Sequence, residues 1–378
     1  MRSIPSARQA LLRGVLILAL LGLSGPLFAQ QGFRDVQHYV FIPIAESSTV
    51  AVIDIATDKI AGQLDIGLTP RQIELSAPLT KLVAVDGKSP RVAVVDLATA
   101  QTQSLNLDFT PDRLLVSPDG AKLAVVDAIS GSIAVIDLAS GKQTARIGGL
   151  PPLVDAMFSS DGASLFLASD KIAGIGVVDV ASGRQTASLP VDGAASVSSF
   201  TRSPSGRSAF ARPANGGPVR MVDLKTGKPP RDIGSTPGTA PAYPSGTGAY
   251  LLVPDERTKS FTIIHGDTLT AGAVLDAGSE LGAPSSAWFD SVAFVPSRAD
   301  HRVLVYDLWR LSKLADIAVS GTPGRGAVTP DGGKLYLPLE DRAQLVVIDA
   351  QKRKLSTVIT LPARPLAAVM AESYGICH

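Results

Sequence analysis

One short motif returns along this chain at a nearly fixed interval, and that interval restricts the fold more than any other feature. Val135-Ile136-Asp137 is the clearest copy, and Val52-Ile53-Asp54, Val94-Val95-Asp96, Val178-Asp179, Val222-Asp223 and Val347-Ile348-Asp349 repeat it. Val305-Tyr306-Asp307 and Ile263-Ile264-His265 are degenerate copies. The landmark positions 54, 96, 137, 179, 223, 265, 307 and 349 are separated by 42, 41, 42, 44, 42, 42 and 42 residues. A unit of that length cannot bury a core alone, so successive units must stack into one body.

A single unit reads as four strands. Asp112–Val116 is β-rich, and Ser117-Pro118-Asp119-Gly120 is turn chemistry: proline presets φ and glycine accepts positive φ. Lys122–Val126, Ser132–Ile136 and Gln143–Ile147 follow, the last two joined by a hairpin with Gly141 at its left-handed position. Four short strands in about 42 residues make one blade of a β-propeller. Eight landmarks predict an all-β fold of eight four-stranded blades, with a seven-bladed ring as the alternative raised by the 44-residue step. The ends of the chain predict how the ring closes. Tyr39–Pro43 lacks a first strand before it, and Pro365–Met370 is an extra first strand after the last blade. The C-terminal strand should therefore complete the N-terminal blade and cover its open edge.

The first residues set Arg2, Arg8 and Arg13 before the apolar run Gly14–Leu21, with the small residue Ala29 ahead of Gln30. This is the layout of a secretory signal peptide over 1–29, leaving 30–378 as a single propeller domain in the periplasm or outside the cell. The apolar run is short for a membrane span, so no stable membrane insertion is expected after cleavage. Removing the three arginines takes the formal charge from +1 to −2. A near-neutral chain with 5% aromatic residues has neither the electrostatic footprint nor the stacking platforms of a nucleic-acid binder.

The blade pattern Pro111, Ser117-Pro118-Asp119-Gly120, Leu123-Ala124-Val125, Val135-Ile136-Asp137 and Ser140-Gly141-Lys142 resembles the YVTN-type β-propeller repeat family of exported bacterial proteins. The family's name tetrapeptide is poorly kept, with Tyr39-Val40 and Leu335-Tyr336-Leu337 near its place. The resemblance covers nearly all of 36–371 and implies a fold more than a function. Its relatives include haem d1-type propellers, amine-dehydrogenase heavy chains, lactonase-like enzymes and non-catalytic binding proteins.

The landmark aspartates are read as turn residues whose carboxylates accept backbone N–H bonds, and His265 is expected to make a similar local bond. A propeller binds ligands where the loops leading into its innermost strands converge. Those loops carry Arg71, Arg113 and Arg325, with Arg364 as a fourth candidate and Asp155 beside them. Arginines gathered at a concave mouth suit a small anionic ligand, a carboxylate or phosphate, through forked charge-assisted bonds; pairing with Asp112 and Asp155 is the competing arrangement. Off the repeat, Cys377 and His378 end the chain. Ring closure should turn this tail aside near Asp35 and His38, and a thiolate with imidazoles suits zinc or copper. There is no Cys-x-x-Cys-His haem attachment, nucleophile elbow or phosphate loop. The sequence therefore favours an exported, non-catalytic propeller binding a small ligand or a periplasmic protein. A metal-handling or redox accessory, less readily one with a haem-like cofactor, is the alternative, and a lactonase-like hydrolase the third.

Overall fold

The computed structural model describes residues 32–191, 196–226, 228–235, 241–371 and 373–374. The 1–29 leader expected from the sequence lies outside them. Each landmark interval folds into one antiparallel sheet, and eight four-stranded sheets form an eight-bladed β-propeller. The seven-bladed alternative is thereby excluded.

Blade three follows the sequence closely: Arg113–Val116, Lys122–Asp127, Ser132–Asp137 and Lys142–Ile147 pair in order from the bore outwards. The innermost and third strands run from the lead-in face to the turn face, and the second and fourth run back. The strands nearest the middle are buried on both sides because blades stack face to face. The apolar residues Phe41, Val52 and Leu64 of blade one share a cluster with Leu82, Ala84 and Val95 of blade two. Fourth strands, such as Gln101–Asn106, are mostly exposed.

The landmark aspartates cap turns. Asp137 Oδ1 accepts from the Ser140 N–H at 2.8 Å, and Asp54, Asp96, Asp179, Asp223, Asp307 and Asp349 accept from the residue three positions on. Gly141, at φ 68°, then closes the hairpin in a conformation that costs a side chain strain. His265 differs from its expectation. Its ring lies against Tyr250, with centroids 5.9 Å apart, and the side-chain bond to a turn amide comes instead from Asp267, which accepts from Thr268. The imidazole is held against an aromatic face rather than over the turn.

Blade one is built from both ends of the chain. Its sheet order is Lys59–Asp65, Thr49–Asp54, Tyr39–Pro43 and, innermost, Val369–Met370. Val40 and Phe41 pair with Met370 and Val369, and Ile44 bridges Pro365. A polar latch joins this blade to blade eight. Lys334 Nζ lies 2.9 Å from both Asp58 carboxylate oxygens and 2.7 Å from the Ile55 carbonyl, and the Tyr336 hydroxyl also donates to Asp58. Among the described residues no helix is long and apolar enough to cross a membrane.

Candidate functional site at the mouth of the bore

An innermost strand presents an unpaired edge to the bore, so its amides and carbonyls need other partners. Side chains from neighbouring blades supply them. The Gln72 carboxamide accepts from Leu114 N–H at 2.9 Å and donates to Leu114 C=O at 3.0 Å. Arg113 Nη1 donates to the Val154 carbonyl at 3.1 Å, Asp155 Oδ2 accepts from Phe200 N–H at 3.1 Å, and Thr201 Oγ1 reaches the Ala242 carbonyl at 2.5 Å. The bore is thus stitched from blade two to blade six.

The repeat register places the sequence candidates. Arg71, Asp112, Val154 and Gly324 each donate their N–H to the equivalent second-strand carbonyl, of Val85, Val126, Ala168 and Pro338. The next residues, Gln72, Arg113, Asp155 and Arg325, therefore occupy one equivalent slot. Arg71 stands one step earlier, in the slot of Asp112. Gln72, Arg113 and Asp155 are stitching residues. Arg325 has no hydrogen bond or ion pair among the described residues.

Arg113 and Asp155 also face each other at 3.6 Å. Burial pushes the Asp155 carboxyl above its usual range, against the opposing pull of the Phe200 N–H, Arg113 and the Ala156 N–H. Its charge is spent on that local network. Arg71 is 62% exposed along its side chain, 4.0 Å from Asp112 and draped over Gly87. Arg364 turns outward, to Glu46 Oε1 at 3.0 Å. Arg71 and Arg325 come together on the wall of a cavity of about 230 Å³, with Gln72, Glu74, Ile73, Leu366 and Val369. Tyr243, which the sequence alone did not single out, stands near this mouth. Burial pushes its hydroxyl pKa up; Arg325 opposes the shift and Asp155 adds to it. Its place on an inner strand becomes readable only once the blade six register is known.

A second cavity, of about 290 Å³, opens at the opposite mouth. Leu75, Leu115, Met157, Phe158, Arg202 and Ser373 help to line it, and it shares Glu74 and Met370 with the first.

His38 ends a short 3-10 turn, with its Nδ1 3.1 Å from Asp35. Cys377 and His378 lie outside the described residues. The described part of the tail leaves blade one at Ala371, which shares a core with Phe33 and Val36. It then crosses the turn face: Ser373 Oγ donates to Val328 C=O at 2.9 Å, and the Tyr374 hydroxyl donates to Asp290 at 3.1 Å. Among the described residues no group of three His, Cys, Asp or Glu side chains could hold a metal ion.

Fold and bore together define a β-propeller of eight blades, closed by strands from both ends of the chain. Among solved structures it is similar to the dihydro-heme d1 dehydrogenase NirN in complex with DHE, with TM-score 0.74 and 14% identity over 90% of this chain and 76% of that one. Apo AztD from Citrobacter koseri aligns with TM-score 0.66 and 14% identity over 89% of this chain and 98% of that one. A further AztD structure aligns with TM-score 0.66, covering 90% and 99%. At this identity the likeness is one of fold. No family model matches the chain, and no curated protein does.

Proposed function

We propose that this chain is an exported, non-catalytic propeller that holds a small anion, a carboxylate or phosphate, at the lead-in mouth of its bore. One observation carries the reading: Arg71 and Arg325, the mouth arginines least committed to the stitching, face one cavity. Two guanidiniums converging on a recess give forked recognition of such a group. The cavity, at about 230 Å³, is smaller than the roughly 300–1,000 Å³ of drug-sized sites, which favours a compact ligand. Ile73, Leu366 and Val369 add apolar wall, as a short-chain carboxylate would use. A solved neighbour of similar fold was determined in complex with DHE, which supports a ligand-holding reading. The basic and apolar N-terminal pattern supports export.

Thermal stabilisation across a panel of inorganic phosphate and short mono- and dicarboxylates tests the site. At least one anion should raise Tm. Arg71→Ala and Arg325→Ala should each weaken its binding roughly ten- to a hundredfold, the equivalent of about 1.5–3 kcal/mol for a charged hydrogen bond. Unchanged stabilisation in both variants would remove this reading.

A second reading is that His38 contributes to a zinc or copper site with Cys377 and His378. The Asp35 carboxylate against His38 Nδ1 supports it, because it leaves Nε2 outward in the manner of an oriented metal ligand. Metal content of freshly exported protein should then fall in Cys377→Ser relative to wild type; no metal in either would end the idea.

A further inference from the structure

Repeat proteins show function where one unit departs from the pattern without structural need. Blade seven departs twice, at adjacent turns. Two positions after each landmark stand Ala56, Ala98, Ala139, Ala181, Lys225, Asp267, Trp309 and Gln351. In the turn between first and second strands, the slot of Phe289 is held elsewhere by Pro78, Asp119, Asp161, Ser205, Thr247 and Asp331. In blade seven both slots are aromatic and open, Phe289 at 68% and Trp309 at 67% exposure. The Leu308 N–H donates to Ser291 C=O at 3.0 Å, so the two turns are hydrogen-bonded neighbours.

The backbone there is strained as well. Trp288, Phe289 and Asp290 lie in succession at φ 46°, 57° and 53°. The matching turns of blades three to six and eight place a single glycine at positive φ, for example Gly120 and Gly332, and that of blade two a single threonine, Thr80. Side chains in this region are unfavourable, and such strain persists where the surroundings enforce it. Here Asp290 enforces it, buried and bonded to Gly246, Thr247 and Tyr374. The turn is thus held rigidly in a form that pushes Phe289 into solvent, with Trp288 packed edge-on beneath it at 5.4 Å. The Arg310 side chain is exposed next to Trp309, without a hydrogen bond or ion pair among the described residues.

We propose that turns 287–291 and 308–311 form a docking face for a protein partner whose contact segment sets apolar side chains beside carboxylates. Rigid aromatics with an unpaired arginine are the composition of interface hot spots. The charge complement of Arg310 is an acidic group. An anionic membrane is the weaker candidate, because one unpaired arginine supplies little of the attraction that polybasic surfaces use. This face lies at the opposite end of the bore from the arginine cavity, so the proposal stands apart from the anion site.

The test uses the full chain and two fluorescein-labelled dodecapeptides, one alternating leucine with glutamate and one alternating leucine with lysine, read by anisotropy. The leucine–glutamate peptide should bind saturably and at least tenfold more tightly than its lysine counterpart. Trp309→Ala and Phe289→Gly should each weaken it at least tenfold, and Arg310→Glu should reverse the preference. Phe289→Gly should melt at or above the wild-type temperature, since glycine relieves the positive φ. Equal binding of both peptides, absence of binding or indifference to all three variants would overturn the proposal. So would a Phe289→Gly protein that melts well below wild type. Co-sedimentation with phosphatidylglycerol vesicles without peptide binding would assign the face to a membrane. Concentration-dependent mass abolished by Trp309→Ala would assign it to a second copy of the chain.

Discussion

Deleting residues 365–378 should give a protein that aggregates instead of folding cooperatively. The cut removes the innermost strand of blade one, its pairs with Val40 and Phe41, the Pro365 bridge to Ile44 and the Leu366 N–H bond to Pro43 C=O. It also removes Ala368, Met370 and Ala371, all buried. Burial of one methionine is worth about 1.5–3 kcal/mol and each lost backbone bond about 1 kcal/mol. The total is on the order of 5 kcal/mol, comparable with the whole stability of an ordinary domain. The edge of Tyr39–Pro43 would then stand open next to the bore, a template for another chain. A cut after Ala371 is the control. It removes the described contacts of Ser373 and Tyr374, costs about 1–3 kcal/mol, and should leave a monomer with a single melting transition. Light scattering and thermal melts separate the outcomes. A 365–378 deletion that melts within a few degrees of wild type would show that the Lys334–Asp58 latch alone closes the ring.

The repeat made the fold legible because a blade writes its own boundaries. Asp137 ends a strand, Gly141 reverses the chain, and the same punctuation returns about 42 residues later. The borrowed strand at 369–370 followed from the chain's ends by the same logic. The candidate site was legible only in part. Spacing placed Arg71, Arg113 and Arg325 on one face of the ring, but side-chain partnership depends on which blade's edge needs a donor or acceptor. Arg113 and Asp155 look like ligand-binding charges in the sequence, yet each satisfies a neighbouring inner strand. Gln72, unremarkable in sequence, stitches Leu114 on both its backbone groups. A side chain that stitches the bore and one left without such a bond occupy the same repeat slot, and only the bore's geometry distinguishes Arg325 from Arg113. The departures in blade seven were equally hidden, since Phe289 and Trp309 fit a β-rich sequence until their exposure and backbone angles are seen.

Asp290→Ala should cost about 3 kcal/mol at neutral pH, among the largest effects of any single side chain outside the apolar core. Asp290 is 2% exposed and stands where blades three to six and eight keep a turn glycine, and its carboxylate ties several segments together. It accepts from the N–H groups of Gly246 and Thr247 at 3.1 and 3.0 Å, from the Thr247 hydroxyl, and from Tyr374 at 3.1 Å. Hydrogen bonds to a charged group are worth about 1.5–3 kcal/mol, and removing the acceptor takes away the partner of both the Thr247 N–H and its hydroxyl. Gly246 loses less, because Ser286 Oγ also accepts from it at 2.9 Å. Burial pushes the Asp290 carboxyl up, but the bonds from Ser245, Thr247 and Ser286 outweigh it and the net direction is down. A carboxyl lowered on folding adds stability that is fully present above its unfolded pKa of about 3.9 and is lost as pH falls through the folded value. Urea melts of wild type and Asp290→Asn from pH 7 to pH 2 read this directly. The two should differ most at pH 7 and converge below about pH 4. A constant gap across that range would mean that the side chain acts through its shape and neutral bonds. The held turn beneath Phe289 would then not depend on the charge of Asp290.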